Sequence, residues 1–249
     1  GSNGKSTTAS LIHHILKDFG YDTILAGNIG KPFTSFPIEK KGIDFIVLEL
    51  SSFQLEYIDS FTPNSAVILN ITPDHLDRYA NFQEYVDAKL RITMNQSMAD
   101  IVVLSDDDPI LHDIIPKQYS QIALFKRSLP IQTDEATITT YLEDNHIVLN
   151  KKFGDDLKDH RVDISKIQLF GLHNKFNIMA AILAVYDIIS MSEHKNDVIS
   201  RLEQSINSFR ALPHRLELVD TVNGIKFVND SKATNTDSVK YALSSFDDG

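Results

Sequence analysis

A glycine-rich loop at the start of the chain constrains its fold more than any other feature of the sequence. Residues 1–7 read Gly-Ser-Asn-Gly-Lys-Ser-Thr, and apolar residues then recur at helical spacing as far as Phe19, before a stop at Gly20. A glycine loop that opens directly into a helix is typical of phosphate-binding loops, because backbone N–H groups and the helix N-terminus together hold an anion. In such loops the lysine, here Lys5, reaches the terminal phosphates, and the following hydroxyl, here Ser6, can bind Mg²⁺. The pattern predicts nucleotide binding.

The apolar pattern further along the chain predicts an α/β fold with a mostly parallel sheet flanked by helices. Short apolar runs that read as buried strands occupy residues 23–26, 45–48, 66–69 and 101–104. Stretches at helical spacing occupy residues 5–19, 81–96, 109–115, 173–190 and 197–209. Between residues 137 and 150, two β-rich runs around Glu143-Asp144-Asn145 predict a hairpin, which we expect to be a small antiparallel appendage to the sheet.

A break at Ala211-Leu212-Pro213 divides the chain, because proline disfavours helix at the residue before it. After the break, runs 216–222 and 225–228 are joined through Asn223-Gly224, which predicts a second hairpin. We therefore expect one domain over residues 1–211 and the beginning of another over residues 212–249. Because the chain opens inside the glycine loop, we also expect a piece of a longer protein whose first strand lies upstream.

The composition narrows the classes of partner. A formal net charge of -10 and a pI near 5.3 argue against a nucleic-acid partner, which would need a clustered basic surface. There is no cysteine, so disulfides and thiolate sites are excluded, which fits a reducing compartment. The longest apolar stretch, residues 178–189, contains Asp187 and is too short to span a bilayer, and the N-terminus does not resemble a signal peptide. We expect a cytoplasmic monomer with no membrane partner.

Polar side chains follow two of the predicted strands. Glu49 comes directly after the run 45–48, and ligands bind at the carboxyl ends of strands in open α/β sheets. Glu49 is therefore a candidate Mg²⁺ ligand, although a solvated acid at a strand end has the same pattern. The run 66–69 also ends in polar residues, which are Asn70, Asp74, His75, Asp77 and Arg78. Two strand ends are thus expected to bring metal-binding groups to one side of the sheet.

Three further positions carry candidate chemistry. Lys89 falls on the inward stripe of helix 81–96, or else it reaches outward from the stripe's edge; the spacing leaves both open. Asn174 and Asn177 are three residues apart, so their amides can face one nucleobase, with helix capping as the alternative. Arg215 follows the break and could neutralise a transferring phosphate across a cleft.

The order of these motifs resembles that of the Mur ligases. The motifs are the glycine loop, Gly27-Asn28-Ile29-Gly30, Glu-Leu-Ser-Ser-Phe-Gln-Leu-Glu from Glu49, Asp74-His75-Leu76-Asp77-Arg78-Tyr79, the Lys89 helix, Gly-x-His-Asn-x-x-Asn from Gly171, Pro213-His214-Arg215, and Asn-Asp-Ser-Lys-Ala-Thr-Asn from Asn229. The loop and the His-Asn-x-x-Asn motif are shared with folylpolyglutamate synthetases, whereas the second and third motifs are similar to those of the D-glutamate-adding branch. Residues 105–166 carry no motif.

The resemblance implies an ATP-dependent ligase of peptidoglycan synthesis, which joins the alanine carboxylate of UDP-N-acetylmuramoyl-L-alanine to D-glutamate through an acyl phosphate. Residues 1–211 would be its ATP-binding central domain, and residues 212–249 the start of a Rossmann-like C-terminal domain. The uridine-binding domain and most of the D-glutamate site lie outside this sequence, so this piece is expected to be inactive alone. Rival interpretations are another Mur ligase, a folylpolyglutamate synthetase, or a nucleotide-binding switch without ligase activity.

The family's roles carry over to matching positions. By resemblance, the ATP phosphates are held by Gly1, Asn3, Gly4, Lys5, Ser6 and Thr7. One Mg²⁺ is held by Ser6 and Glu49, and a second by His75 and a carbamylated Lys89. Adenine is contacted by Asn174 and Asn177, the ribose by Asp230 and the γ-phosphate by Arg215. The UDP-muramoyl substrate is contacted by Asn28 and Ser51, with Lys232 and Thr234 at its reacting end. The catalytic residues would be Lys5, His75, Lys89, Arg215 and Lys232.

Overall fold

The computed structural model describes most of the chain. The described residues are 3–36, 42–74, 77–114, 120–129, 136–153, 156–194, 197–233, 239, 242–243 and 245–246, with the backbone alone at 137, 152–153 and 156–158. Its helices are α1 (Lys5–Asp18), α2 (Ser52–Leu55), α3 (Phe82–Leu90), α4 (Pro109–Ile114), α5 (Leu172–Ser190) and α6 (Val198–Ser208). Its strands are β1 (Thr23–Gly27), β2 (Phe45–Glu49), β3 (Ser65–Ile68), β4 (Ile101–Ser105), β5 (Gln121–Lys126), β6 (Ala136–Glu143), β7 (His146–Phe153), β8 (Asp156–Asp163), β9 (Glu217–Val222) and β10 (Ile225–Asn229).

The strands form three sheets. β1 and β2 pair in parallel, and a six-stranded sheet has the order β3-β4-β5-β6-β7-β8. Its pairs are parallel from β3 to β6 and antiparallel from β6 to β8, so the predicted hairpin continues the main sheet. β9 and β10 form a separate antiparallel hairpin. The expected α/β class, with a mostly parallel sheet and an antiparallel appendage, is confirmed.

The parallel strands are continuously apolar because helices cover both faces of the sheet. In β4, Val103 packs in the core that contains α5, whereas Val102 and Leu104 pack in a second core with residues of α3 and α4. Helix α5 is buried along most of its length, which explains its apolar sequence. Even so, no helix in the described part of the chain is long and apolar enough to cross a membrane.

Helix α1 connects the two-stranded sheet of β1 and β2 to the six-stranded sheet. Leu11 and Ile15 of α1 are fully buried in the same core as Ile178 and Ile182 of α5. Helix α1 packs on β1 and β2, while α5 packs on β3, β4, β5 and β6. Among the described residues, β2 and β3 do not pair, so the two predicted strand ends belong to different sheets. The packing of α1 against α5 brings the carboxyl ends of β2 and β3 to one side of the structure.

The helix predicted over residues 81–96 is shorter than expected. Helix α3 ends at Leu90, and a 3₁₀ turn follows over Arg91–Thr93. The amide of Asn95 donates to two backbone carbonyls of the segment after α2, at Asp59 and Phe61. These tertiary contacts hold Asn95 against a distant segment of the chain, which the spacing of apolar residues in 81–96 does not reveal.

Strand β8 was not predicted. Its sequence, Asp-Leu-Lys-Asp-His-Arg-Val-Asp, has only two apolar residues and no alternating pattern. It pairs with β7 at the end of the sheet order. Charged residues suit an edge strand, because they discourage pairing with another chain. Because of these charges, the sequence has no apolar pattern from which the strand could be predicted.

Replacing Ile182 with alanine should destabilise the fold by about 2–5 kcal/mol, because a fully buried side chain leaves a cavity at the α1–α5 contact. Urea unfolding followed by circular dichroism measures this loss. The matched control is Met191→Ala, since Met191 follows α5 and is 83% exposed. Equal losses in both variants would contradict the packing described above.

Candidate functional site

The phosphate loop is described from Asn3 onward, and Gly1 lies outside the described residues. Gly4 precedes α1 with φ 86°, a left-handed conformation that favours glycine. Helix α1 begins directly at Lys5, and its first turn contains Ser6 and Thr7 but no acidic residue. The N-terminal end of the helix therefore keeps its positive potential for an anion. A glycine loop opens directly into a helix, as predicted, whereas phosphate binding by residues 3–7 stays a prediction.

Glu49 lies at the carboxyl end of β2 and is only 4% exposed. Its Oε1 accepts a hydrogen bond from the Asn28 amide at 3.1 Å. Its Oε2 is buried and has no hydrogen-bond partner among the described residues. Burying a carboxylate oxygen without a partner is costly unless a cation meets it. Together with the Ser6 hydroxyl in the loop, this oxygen fits the oxygen ligands that Mg²⁺ prefers.

Lys89 is buried and Lys5 is half-buried, and both lie within electrostatic reach of Asp74. Lys89 is 7% exposed, so of the two placements left open by its spacing, the inward one is correct. Burial lowers the pKa of Lys89 to about 7; the charge of Lys5 acts in the same direction and Asp74 opposes it. Burial also lowers the pKa of Lys5, against the opposing charges of Glu49 and Asp74. Lys5 therefore lies within electrostatic reach of Lys89, Glu49 and Asp74.

Arg215 reaches the phosphate loop from beyond the predicted break. Its guanidinium donates to the Ser6 hydroxyl at 2.9 Å, and its charge contributes to lowering the pKa of Lys5. A cavity of about 330 Å³ lies beside this contact. Predicted nucleotide-binding residues line it together, namely Gly4, Thr7, Asn174, Asn177, Arg215 and Asp230. Lys232 also lines the cavity, and Phe125 and Leu169 add apolar surface.

The two helix asparagines are buried and bonded to each other. Asn177 Nδ2 donates to Asn174 Oδ1 at 3.0 Å, and Asn174 Nδ2 donates to the Phe170 carbonyl at 2.7 Å. Neither side chain caps the helix; Gly171 occupies that position. Each amide nitrogen keeps a second hydrogen that it can donate to a nucleobase. Contact with a base by Asn174 and Asn177 stays a prediction.

Ser51 has a structural role that the sequence analysis missed. It is the N-cap of α2: the Gln54 N–H donates to Ser51 Oγ, and the Ser51 N–H donates to Gln54 Oε1. The Ser-x-x-Gln spacing, which signals such a capping box, was present in the motif. The backbone N–H of Asn28 likewise donates to the Glu49 carbonyl at 2.8 Å. Substrate contacts by Ser51 and Asn28 stay predictions.

Two further predicted site residues lie outside the part of the chain that the structure describes. His75 and Thr234 are not among the described residues, so their roles at a second metal and at the reacting end stay predictions. In the part of the chain that is described, no group of three or more His, Cys, Asp and Glu side chains could hold a metal ion. Support for a metal therefore comes from Glu49 and Ser6.

Asp108 was also missed. Its Oδ2 accepts from the Ile71 N–H at 2.8 Å, and its Oδ1 accepts from the N–H groups of Ile110 and Leu111. The carboxylate thereby ties the segment after β3, which continues to Asp74, to the start of α4. An aspartate just before a proline at a helix start is a capping signal that could have identified it.

Together, these features define a P-loop α/β protein with a buried acid at the end of the strand facing the loop. A family model described as the Mur ligase middle domain matches residues 1–185. The chain therefore belongs to the Mur ligase family.

Curated relatives and solved structures agree with this placement. The chain is 38% identical over 249 residues to the UDP-N-acetylmuramoylalanine–D-glutamate ligase of Geobacter sp. (strain M21), covering 100% of this chain and 52% of that protein. It is 40% identical over 246 residues to the ligase of the same name from Bacteroides fragilis, covering 98% and 52%. The structure of MurF ligase from Thermotoga maritima in complex with ADP shares the fold, with a TM-score of 0.67, 17% identity, and coverage of 99% and 55%. The chain thus spans about half the length of these relatives.

Lys89→Met should raise the free energy of unfolding most at low pH. The folded protein loses the lysine proton near pH 7, whereas the unfolded chain keeps it up to the ordinary pKa of 10.5. The cost of burying the charge is therefore fully present below pH 7 and is lost as the pH rises toward 10.5. Urea unfolding in carbon-dioxide-depleted buffer, from about pH 6 to about pH 9.5, measures it. A stability difference that stays constant over this range would contradict the burial of an ionisable amine.

Proposed function

We propose that this chain is the ATP-binding part of a ligase that joins UDP-N-acetylmuramoyl-L-alanine to D-glutamate. One observation carries the nucleotide part of the proposal: the unpartnered, buried Oε2 of Glu49 lies in the electrostatic neighbourhood of Lys5 in a phosphate loop. An acid there suits a metal-bound polyphosphate. The choice of substrates is supported by the names of relatives at 38% and 40% identity.

The proposed reaction follows from what amide formation requires. A carboxylate is a poor electrophile because neither oxygen can leave easily. Transfer of the γ-phosphate of ATP to the alanine carboxylate releases ADP and gives an acyl phosphate. The D-glutamate amine then attacks its carbonyl carbon, loses a proton, and expels inorganic phosphate. The enzyme's main task is to hold charged groups together, which is electrostatic work.

The chain's own residues suit that task. Lys5 and Arg215 would bind phosphate oxygens and offset the repulsion between phosphate and carboxylate. Ser6 and Glu49 would hold Mg²⁺, which when bound neutralises negative charge on the phosphates. Because Arg215 already donates to Ser6, it needs only a small movement to reach a phosphate in the loop.

The remaining assignments rest on the resemblance. Asn174 and Asn177 would contact adenine and Asp230 the ribose, which the cavity beside the loop supports, since all three residues line it. Lys232 lines the same cavity, and with Thr234 it would approach the reacting end. Asn28 and Ser51 would contact the UDP-muramoyl substrate.

The domain division is also part of the proposal. An apolar groove of about 900 Å³ runs between β2 and β3, over a floor that includes Ala9 and Ile12 of α1 and Ala184 of α5. Both strands line the groove along their length. A parallel strand placed there would join the two sheets and end at the phosphate loop, which is the strand–loop–helix order of P-loop proteins. We assign that strand to the residues upstream of Gly1 in a longer chain.

The hairpin β9–β10 supports a second domain after residue 211. Its exposed large apolar residues include Val219, Val222, Ile225 and Phe227. A two-stranded hairpin is marginally stable alone, and apolar faces of this kind need a covering layer. We propose that the residues after 249 in a longer chain complete this sheet, and that the whole ligase is a cytoplasmic monomer.

In the full-length enzyme, ATP hydrolysis to phosphate should be stimulated by D-glutamate in the presence of UDP-N-acetylmuramoyl-L-alanine, and Lys5→Ala should abolish it. The loss is expected because removing the loop lysine takes away a charge that binds phosphate. A phosphate-release assay across amino acids measures this, with circular dichroism confirming that the variant is folded. Stimulation by another amino acid, or by folate substrates, would point to a rival ligase. Normal turnover by the variant would contradict the site.

The proposal includes carbamylation of Lys89. Burial and the nearby charge of Lys5 lower its pKa to about 7, so the neutral amine that reacts with carbon dioxide is present at physiological pH. The carbamate is an anionic oxygen ligand, which suits Mg²⁺ and would replace a buried positive charge with a negative one. His75 would share that second metal.

Lys89→Ala should lose most ligase activity, and acetate should restore part of it by supplying a carboxylate in the space left. Lys89→Arg should stay inactive with or without acetate, because it retains the positive charge. Initial rates of the full-length enzyme at increasing acetate concentrations measure the rescue. Wild-type enzyme with the same acetate is the control. Full activity of Lys89→Arg would show that no carbamate is needed.

A further inference from the structure

Two asparagine side chains contact the two residues that precede α1. The first is Asn70, two residues after β3. The Asn3 N–H donates to Asn70 Oδ1 at 3.0 Å, and Asn70 Nδ2 donates to the Asn3 carbonyl at 3.1 Å. The amide therefore satisfies both backbone groups of Asn3, as a neighbouring peptide would in a sheet. This pair fixes the backbone where it enters the loop.

The second asparagine, Asn177 of α5, packs against Gly4. A Cβ built on Gly4 would lie 2.3 Å from Asn177 Oδ1, so the amide fills the space beside this glycine. Asn177 is itself held in place, because its Nδ2 donates to Asn174 Oδ1 and Asn174 donates to the Phe170 carbonyl. At 4% exposure, its amide has little room to adopt another rotamer.

These contacts address a physical weakness of a glycine loop. Glycine has the largest conformational freedom of any residue, so a loop that depends on Gly4 loses much entropy when it closes around phosphates. Contacts that fix the loop before the ligand arrives reduce that cost and raise affinity. The asparagines act on the two consecutive residues that precede α1, so together they limit the conformations of the chain leading into the helix.

We propose that Asn70 and Asn177 are positioning residues that hold the phosphate loop in its anion-binding shape. Asn177 then acts on the phosphates through Gly4, in addition to the base contact proposed for it. This inference rests on the proposed nucleotide site, and it gives Asn177 a role that Asn174 does not share, since only Asn177 packs against Gly4. It also gives Asn70 a role other than metal binding.

The test compares ATP with inorganic tripolyphosphate, which has no base. In the full-length enzyme, Asn70→Ala and Asn177→Ala should each weaken binding of tripolyphosphate on the order of tenfold, with and without Mg²⁺, and should weaken binding of ATP at least as much. Isothermal titration measures the affinities. Hydrogen exchange of the ligand-free proteins should show faster exchange of the backbone amides of residues 3–8 in both variants.

Asn207→Ala is the matched control. The Asn207 amide on α6 also donates to two backbone carbonyls, at Asp163 and Glu203, but it lies on a different helix from the loop and its supports. Its removal should lower the melting temperature without changing tripolyphosphate affinity or exchange in residues 3–8. This separates loss of a loop support from general loss of stability.

Each other outcome overturns part of the proposal. If Asn177→Ala weakens ATP binding and leaves tripolyphosphate binding unchanged, Asn177 is a base ligand alone and does not act through Gly4. If Asn70→Ala weakens binding only with Mg²⁺ present, Asn70 acts on the metal. If hydrogen exchange of the backbone amides of residues 3–8 is unchanged in both variants, the two asparagines do not hold the loop. This result would overturn the proposal whatever the titration shows. Failure of the wild-type enzyme to bind either ligand would instead contradict the nucleotide site, while the exchange experiment would still test the loop contacts.

Discussion

The packing of α1 against α5 is the contact on which the rest of the site depends. Within the described residues, β2 and β3 share no hydrogen bonds, yet the site needs groups from the carboxyl ends of both. Leu11 and Ile15 on one helix and Ile182 on the other are buried in the core that holds the two sheets together. Close-packed interiors deform little, so this contact sets where Glu49 lies relative to Asn70. Apolar burial, which has no chemistry of its own, thereby determines the geometry of the charged groups.

The charges gathered there are unfavourable for folding. Lys89 and Glu49 are almost fully buried, and desolvation outweighs the attraction of Asp74 in its effect on the pKa of each lysine. A chain selected only for stability would replace such groups with apolar ones, because buried charges seldom repay their desolvation. Their presence in one place is therefore a sign of function. A ligand that brings phosphates and a metal would complete the interactions that the folded chain leaves incomplete at Glu49 Oε2.

Local signals predicted the parts of this structure that depend on neighbouring residues. The loop, α1, the first four strands and both hairpins follow from spacing and turn residues, and the apolar stripe allowed for Lys89 facing inward. Strand β8 escaped because edge strands need no apolar pattern, and the early end of α3 depends on contacts made by Asn95. The hydrogen bonds of Asn70 and the packing of Asn177 against Gly4 join residues far apart in sequence, which no periodicity reports. The roles of His75 and Thr234 stay predictions.

The contact between Arg215 and Ser6 links the two parts of the chain electrostatically. Arg215 lies beyond the domain boundary proposed at residue 211, so under that proposal its position follows the second domain, whereas Ser6 and Lys5 belong to the loop. While Arg215 is close, it lowers the pKa of Lys5 and donates to a hydroxyl proposed to bind Mg²⁺. A metal at Ser6 would compete with the guanidinium for that oxygen and repel its charge, whereas a phosphate would attract it. Filling the loop therefore changes the force on the second part of the chain, and this gives a physical basis for coupling nucleotide binding to the arrangement of the two parts.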